Sequence, residues 1–374
     1  MVLFYVFVRR NSCLETVNIN FKMVNKVSDT AMKKETLRGG CFEETGSHDE
    51  VGNTNTSEPV SSVEKDKNAK SAKKKYEGQI VVQILRIITI TVFLGTTWHY
   101  TILQHIVNDF YKFLMSMCLF HSVYFETFFA TFCYSVIIPI YPWSVDKFRI
   151  LDSYKLHPSV KYEHTTVFKI VQDAVTYMGP LMLLDTFMVK KYGGVGIDPN
   201  MWEERRKSIL QTTRVLPNDP PHLISIIWQL TASFIVYDAL FFAIHLVLHK
   251  NFHLYKYIHK YHHDHDMVHS HVTNQLTIPE RITLILSANF ALKVFNSHPL
   301  TRTIFIPIFI WILVDNHSGY DMPFGLHRLV PFRIVGGSVK HFQHHSYGSR
   351  CYEPIFTYLD KIHEIFSEHF KTKC

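Results

Sequence analysis

Long uncharged apolar runs constrain this chain more than any other feature in it. Thr127 to Val145 carries no charge at all, and its Pro139, Pro142 and Trp143 are the residues expected where a helix leaves a bilayer at an aromatic interface. Ile80 to Ile102 is apolar apart from Arg86, His99 and a few hydroxyls, and His222 to Leu248 has Asp238 as its only acidic residue. At about 1.5 Å per helical residue, runs of this length can cross a hydrocarbon core of about 30 Å. Backbone groups in hydrocarbon find no water, so a spanning segment is a helix or part of a closed barrel. No segment alternates at period two over a useful length, so the sequence predicts an all-α integral membrane bundle with about four or more spans or hairpins. Val167 to Met188, interrupted by Lys169, Asp173 and Asp185, reads either as a span with polar faces or as a helix lying in the interface. Ile282 to Leu292 and Thr303 to Val314 are each short for a span, and read together as a re-entrant hairpin or two tilted helices.

The remainder of the chain is of a different kind. Residues 1–78 are rich in Ser, Thr, Asn, Glu and Lys and are expected to form a disordered polar and basic tail. Val2 to Val8 has no basic residue ahead of it and Arg9 and Arg10 behind it, which argues against a secretory signal. The formal charge of +7 sits largely in Lys65, Lys67, Lys70, Lys73, Lys74 and Lys75, immediately before the first apolar run. That placement suits a cytoplasmic membrane flank or a solvated linker and gives no reason to expect nucleic acid. Six scattered cysteines form no Cys-x-x-Cys pair, so neither a disulfide framework nor a zinc knuckle is expected. The sequons at Asn55 and Asn316 are expected to stay unmodified. The expected division is a tail (1–78), membrane helices with their loops (79–220), a catalytic domain (221–365) and a short C-terminal tail (366–374).

The chemistry is concentrated in histidine. There are 24, densest after residue 244. His245 and His249 stand four apart, so on a helix they share a face and can meet one metal. His259, His262 and His263 form a triplet at i, i+3 and i+4, and His341, His344 and His345 repeat it; His317 lies between the triplets. Imidazoles at apolar-run ends must be satisfied, and metal coordination satisfies them collectively. So many imidazoles exceed what one ion can take, and two ions are implied. Imidazole suits Fe, Zn, Cu and Ni; iron makes best sense of the pattern because it can reduce O₂ and leave positions open for it. Asp238, one helical face from His245, could accept a hydrogen bond from a ligand ring and fix its tautomer. His265, His269 and His271 have no helpful spacing and read as surface or substrate-mouth residues.

The sequence of His-x-x-x-His, His-x-x-His-His and His-x-x-His-His boxes resembles the fatty acid hydroxylase/sterol desaturase superfamily of membrane oxygenases. Within it the chain is similar to the cholesterol 25-hydroxylase-like family, through Tyr154-Lys-Leu-His-Pro158, His298-Pro-Leu-Thr301, Asp315-Asn-His-Ser-Gly-Tyr320, His327-Arg-Leu-Val-Pro-Phe332 and Gly336-Gly337. The methylsterol monooxygenase branch shares the boxes but usually carries a histidine where this chain has Thr277. Two departures from the pattern stand out: Phe342 and Gln343 fill the last box where an acidic residue is common, and His363-Glu364 replaces a usual Gly-Thr. The resemblance implies metal ligation by His245, His249, His259, His262, His263, His317, His341, His344 and His345, with His327 and His298 as possible additions. It further implies two iron ions, O₂, and electrons from cytochrome b5 and its NADH-dependent reductase. The implied reaction is hydroxylation of a sterol, cholesterol at carbon 25, with C4-methylsterol oxidation or fatty-acyl hydroxylation as alternatives. The implied setting is the endoplasmic reticulum membrane, with active site and N-terminal tail facing the cytosol.

Overall fold

A computed structural model describes residues 62–162, 166–196 and 198–371; the expected tail up to residue 61 lies outside the described residues. Among them the chain is all-helical, with only three isolated β-bridges and no strand. Five helices are long and apolar enough to cross a membrane. They belong to α1 (Ser62–Trp98), α3 (Phe125–Lys147), α4 (Val167–Phe187), α6 (Leu223–Lys250) and α8 (Pro299–Asn316). The remaining long elements are α2 (Tyr100–Ser116), α5 (Pro199–Lys207), α7 (Ile278–Val294), α9 (Gly337–Tyr347) and α10 (Tyr358–Lys371).

Several boundaries differ from expectation. The lysine run was placed in the disordered tail, yet α1 is helical from Ser62 and passes straight into the first apolar run. The segment from Ser62 to Lys75 is dense in Lys and Ala, good helix formers, and contains no proline. The helix then breaks at His99, so the first span ends at Trp98, four residues before the apolar run does at Ile102. The cluster of Pro139, Pro142 and Trp143 does not end α3, which runs on to Lys147. Each proline removes one intrahelical bond, and the packing of α8 along the helix holds it helical through both.

The polar interruptions of α4 turn out to be paired. Asp185 is buried, accepts the Thr127 hydroxyl at 2.6 Å and is bridged by Lys190 at 2.5 Å. The two short apolar runs are two separate helices, α7 and α8, joined by 295–298. Pro299 begins α8 and the His298 ring accepts the Leu300 N–H as its N-cap. Since α6 and α8 both end at the same histidine cluster, α7 has to run back between them, and it packs along α6.

At the opposite end from the histidines, Glu126 at the start of α3 joins the elements. Arg302 of α8 donates two hydrogen bonds to its Oε2, at 3.1 and 2.7 Å, and Arg214 and Lys190 bridge it at 2.8 and 2.9 Å. A lone buried carboxylate would be costly; three cations and the Tyr192 hydroxyl offset that cost here.

Candidate metal centre

The last turns of α6 and α8 deliver His245, His249 and His317 to one end of the bundle. After α6, Asn251 Oδ1 accepts the N–H groups of His253 and Leu254 and starts a tight reversal. A π-helical turn (Tyr255–His259) and a 3-10 turn (Lys260–His263) then carry the second histidine group. The third group lies on α9. Gly337 opens that helix at φ +59, and a Cβ there would meet His327 Nδ1 at 2.3 Å, so only glycine fits.

The nine histidines fall into two groups rather than along the three sequence boxes. His245, His249, His259, His263 and His344 form one, and His262, His317, His341 and His345 the other; in each, the candidate ligand nitrogens lie within 4.8 Å of one another. Both triplets are therefore divided between groups. The sequence reading put each triplet on one side of a helix, but adjacent residues diverge by about 100° around an α-helix. On α9 His344 accordingly points away from the pair His341 and His345, while in the other triplet the chain passes from a π-helical to a 3-10 turn at Lys260 and His262 falls to a different group from His259 and His263.

The ring nitrogens explain why these groups call for a cation. Nδ1 of His245 donates to Tyr352 O at 2.8 Å, that of His344 to Arg350 O at 2.9 Å, that of His317 to Leu313 O at 2.8 Å and that of His262 to Gln275 O at 3.3 Å. His259 Nδ1 meets the Glu280 carboxylate at 2.6 Å. A carbonyl only accepts, so in a neutral ring the proton sits on Nδ1 and Nε2 presents a lone pair. Yet Nε2 of His245 faces Nε2 of His259 at 3.1 Å, and Nε2 of His317 faces that of His262 at 3.4 Å. Two lone pairs cannot bond to each other.

Protonation does not resolve the conflict. Burial, with the neighbouring imidazoles, holds His259 and His263 down to about 2 and His317 to about 3, and burial takes His344 to about 4. A metal ion does resolve it. Nitrogens about 2.1 Å from a common ion lie about 3.0 Å apart at neighbouring corners of an octahedron. The remaining contacts, such as 2.9 Å between His249 and His259 and 2.9 Å between His317 and His341, have that spacing. The donor set fits two metal ions, one per group.

Three residues sit elsewhere than expected. Asp238 touches no ring: its Oδ1 accepts the N–H groups of Ile355 at 2.9 Å and Phe356 at 3.1 Å. It lies about two helical turns from His245, so its carboxylate reaches the 352–356 loop, and that loop supplies the Tyr352 carbonyl to His245. His298 is the α8 cap, with Nε2 donating to Asp219 O at 3.2 Å, and His327 Nε2 pairs with Asp321 at 2.8 Å; neither joins a group. Two participants escaped the sequence reading. Glu280 stands in no histidine box, and nothing in its spacing marks it. His265 lacked spacing, yet its Nε2 meets His345 Nδ1 at 3.0 Å.

The fatty acid hydroxylase family profile matches residues 230–364. The chain is 30% identical over 237 residues to cholesterol 25-hydroxylase of Mus musculus, covering 62% of this chain and 70% of that one. The chain belongs to the fatty acid hydroxylase family. It is also 35% identical over 148 residues to cholesterol 25-hydroxylase of Homo sapiens, covering 40% of this chain and 54% of the relative. A putative methylsterol monooxygenase of Dictyostelium discoideum is 27% identical over 237 residues, 61% of this chain and 77% of the relative. No solved structure matches. Membership of the fatty acid hydroxylase family makes this a multi-pass membrane hydroxylase, an oxidoreductase with a metal centre.

Proposed function

We propose that this fatty acid hydroxylase is a di-iron monooxygenase that hydroxylates a sterol, cholesterol at carbon 25, using O₂ and electrons from cytochrome b5 and its NADH-dependent reductase. Its catalytic unit is residues 221–365, carried on the membrane helices of 79–220. The observation that carries the reading is the pair of lone-pair-facing imidazole groups at the ends of two membrane helices. His245, His249, His259, His263 and His344 would hold one iron, and His262, His317, His341 and His345 the other. Bound iron supplies the reduction of O₂ and the insertion of one oxygen atom into a C–H bond. The protein's part is to hold each ring by its Nδ1, keep every ligand unprotonated, and seat a lipid beside the site.

The choice of cholesterol rests on likeness to the mouse and human relatives and on Thr277. Where the methylsterol branch carries a histidine, the Thr277 hydroxyl donates to Ile258 O at 2.9 Å and adds no imidazole. The lysine run ahead of the first span supports a cytosolic tail and, with both sites at that end of the bundle, a cytosolic active site in the endoplasmic reticulum membrane. Microsomes expressing the chain should convert labelled cholesterol to its 25-hydroxy derivative, and a His262→Ala, His263→Ala control should not. Oxidised C4 methyl groups without any 25-hydroxy product would overturn the substrate choice.

A further inference from the structure

A cavity runs lengthwise through the bundle. Arg302, Phe305, Ile306, Phe309, Ile310 and Leu313 line it along α8, a single helical face from the first turn to near the last. The face of α7 between Leu292 and Arg281 lines it in the opposite sense. From Arg302 to Leu313 this is a path of about 16 Å at 1.5 Å per residue, close to the length of a sterol from its ring hydroxyl to its side chain.

The two ends differ. At the inner end Leu313 lines the cavity, and its carbonyl holds His317; Leu276 lines it too, beside Gln275, whose carbonyl holds His262. At the outer end the lining is Glu126, Asp185, Lys190 and Arg302, two charges of each sign. Lys190 gives one proton to Glu126 at 2.9 Å and one to Asp185 at 2.5 Å, and an ammonium carries three. The pair thus offers a donor beside an acceptor, which is what a hydroxyl needs.

Resting on the sterol reading above, we propose that the cavity holds the sterol with its 3-hydroxyl between Lys190 and Asp185 and its side chain at the metal end. In that orientation the carbon presented to the metals is remote from the hydroxyl, and Lys190 and Asp185 are positioning residues that select the side chain over C4. The reverse placement has its own polar groups: the hydroxyls of Tyr134, Tyr237 and Thr273 line the cavity without a partner among the described residues. The test has to separate the two ends.

Equilibrium binding of labelled cholesterol and of cholest-5-ene, its 3-deoxy analogue, would be measured on the full chain in lipid nanodiscs, without turnover. Loss of a hydrogen bond to charged groups predicts that the 3-deoxy sterol binds at least about tenfold more weakly. The double variant Asp185→Leu, Lys190→Met removes one charge of each sign and both hydrogen-bonding groups, and should abolish that preference by weakening cholesterol alone. Thr127→Val, which removes only the hydroxyl donated to Asp185, should reduce the preference severalfold in the same direction. Equal binding of the two sterols by the unmodified protein overturns the proposal, as does a double variant that weakens both alike. So does a preference that survives the double variant and disappears in Tyr134→Phe, because the hydroxyl then sits at the metal end. Product analysis answers separately: a hydroxyl preference that depends on Lys190 and Asp185, without any side-chain hydroxylation, keeps the anchor and removes the 25-hydroxylase reading.

Discussion

His298 and the clustered histidines are the same residue at similar depth, yet they do different work. His298 is 5% exposed and His317 is 4% exposed. His298 accepts the Leu300 N–H on one nitrogen and donates to Asp219 O from the other, so both nitrogens are satisfied by backbone. His317 donates from Nδ1 to Leu313 O and turns its remaining lone pair toward other imidazoles. Burial and spacing do not make a ligand. The direction of the second nitrogen does, and the local backbone sets it by offering or withholding a carbonyl to the first.

The largest expected effect lies on the clustered side. His345→Ala should remove about one metal equivalent from the purified protein and lower turnover by roughly a thousandfold or more, an estimate in line with losses on removal of groups that act as a unit. Metal analysis would find two equivalents in the unmodified protein, whereas His298→Asn should keep both. Full metal content in His345→Ala would contradict the grouping.

On the other side of the comparison the expected effect is on stability. Burial lowers His298 from 6.5 to about 4. A histidine held neutral in the fold but free to protonate when unfolded costs stability as pH falls below 6.5, and the loss levels off near pH 4. A shift of that size corresponds to a loss of about 3 kcal/mol over the window. His298→Asn keeps a capping oxygen and does not titrate, so its thermal midpoint between pH 6.5 and 4 should fall less than that of the unmodified protein. Parallel curves would show that His298 does not carry the pH dependence.

Much of this molecule was legible in its sequence, because hydrocarbon forces helices and apolar runs mark them. The spans of α3 and α6 and the shared helical face of His245 and His249 follow from that rule and from the 3.6-residue repeat. What escaped depended on distant partners. Asp185 of α4 reads as an interruption because its partners, Lys190 and the Thr127 hydroxyl of α3, lie outside the helix. Asp238 read as a ring partner because the 352–356 loop it binds is more than a hundred residues away in sequence. The division of each triplet between two groups is not legible because spacing shows which residues share a helical turn, whereas the grouping depends on which other element each faces.

Glu280 sharpens the comparison between the two histidine groups. Among the described residues a carboxylate stands behind a ring in the five-histidine group, at His259, whereas the contacts behind the four-histidine group are carbonyls and His265. Glu280→Gln keeps an acceptor for Nδ1 and loses its charge, and it should weaken metal binding at the five-histidine group by roughly ten- to a hundredfold, the range for such supporting residues. Competition with a graded chelator series would measure it, and loss of the other metal first would reverse the assignment.

The smallest expected effect is at His265. Its Nε2 meets His345 Nδ1, so it stands behind a ligand as Glu280 does but is an uncharged imidazole. A neutral acceptor raises the basicity of the ring it holds less than a carboxylate does. His265→Ala should therefore weaken the metal of the four-histidine group by a few-fold to about tenfold, the low end of the range for residues that orient a ligand, and leave the five-histidine group unchanged. The same chelator titration reads both sites. A loss as large as that of Glu280→Gln would mean that charge behind the ring matters less than fixing its orientation, and an equal loss at both sites would mean that the two groups share their support.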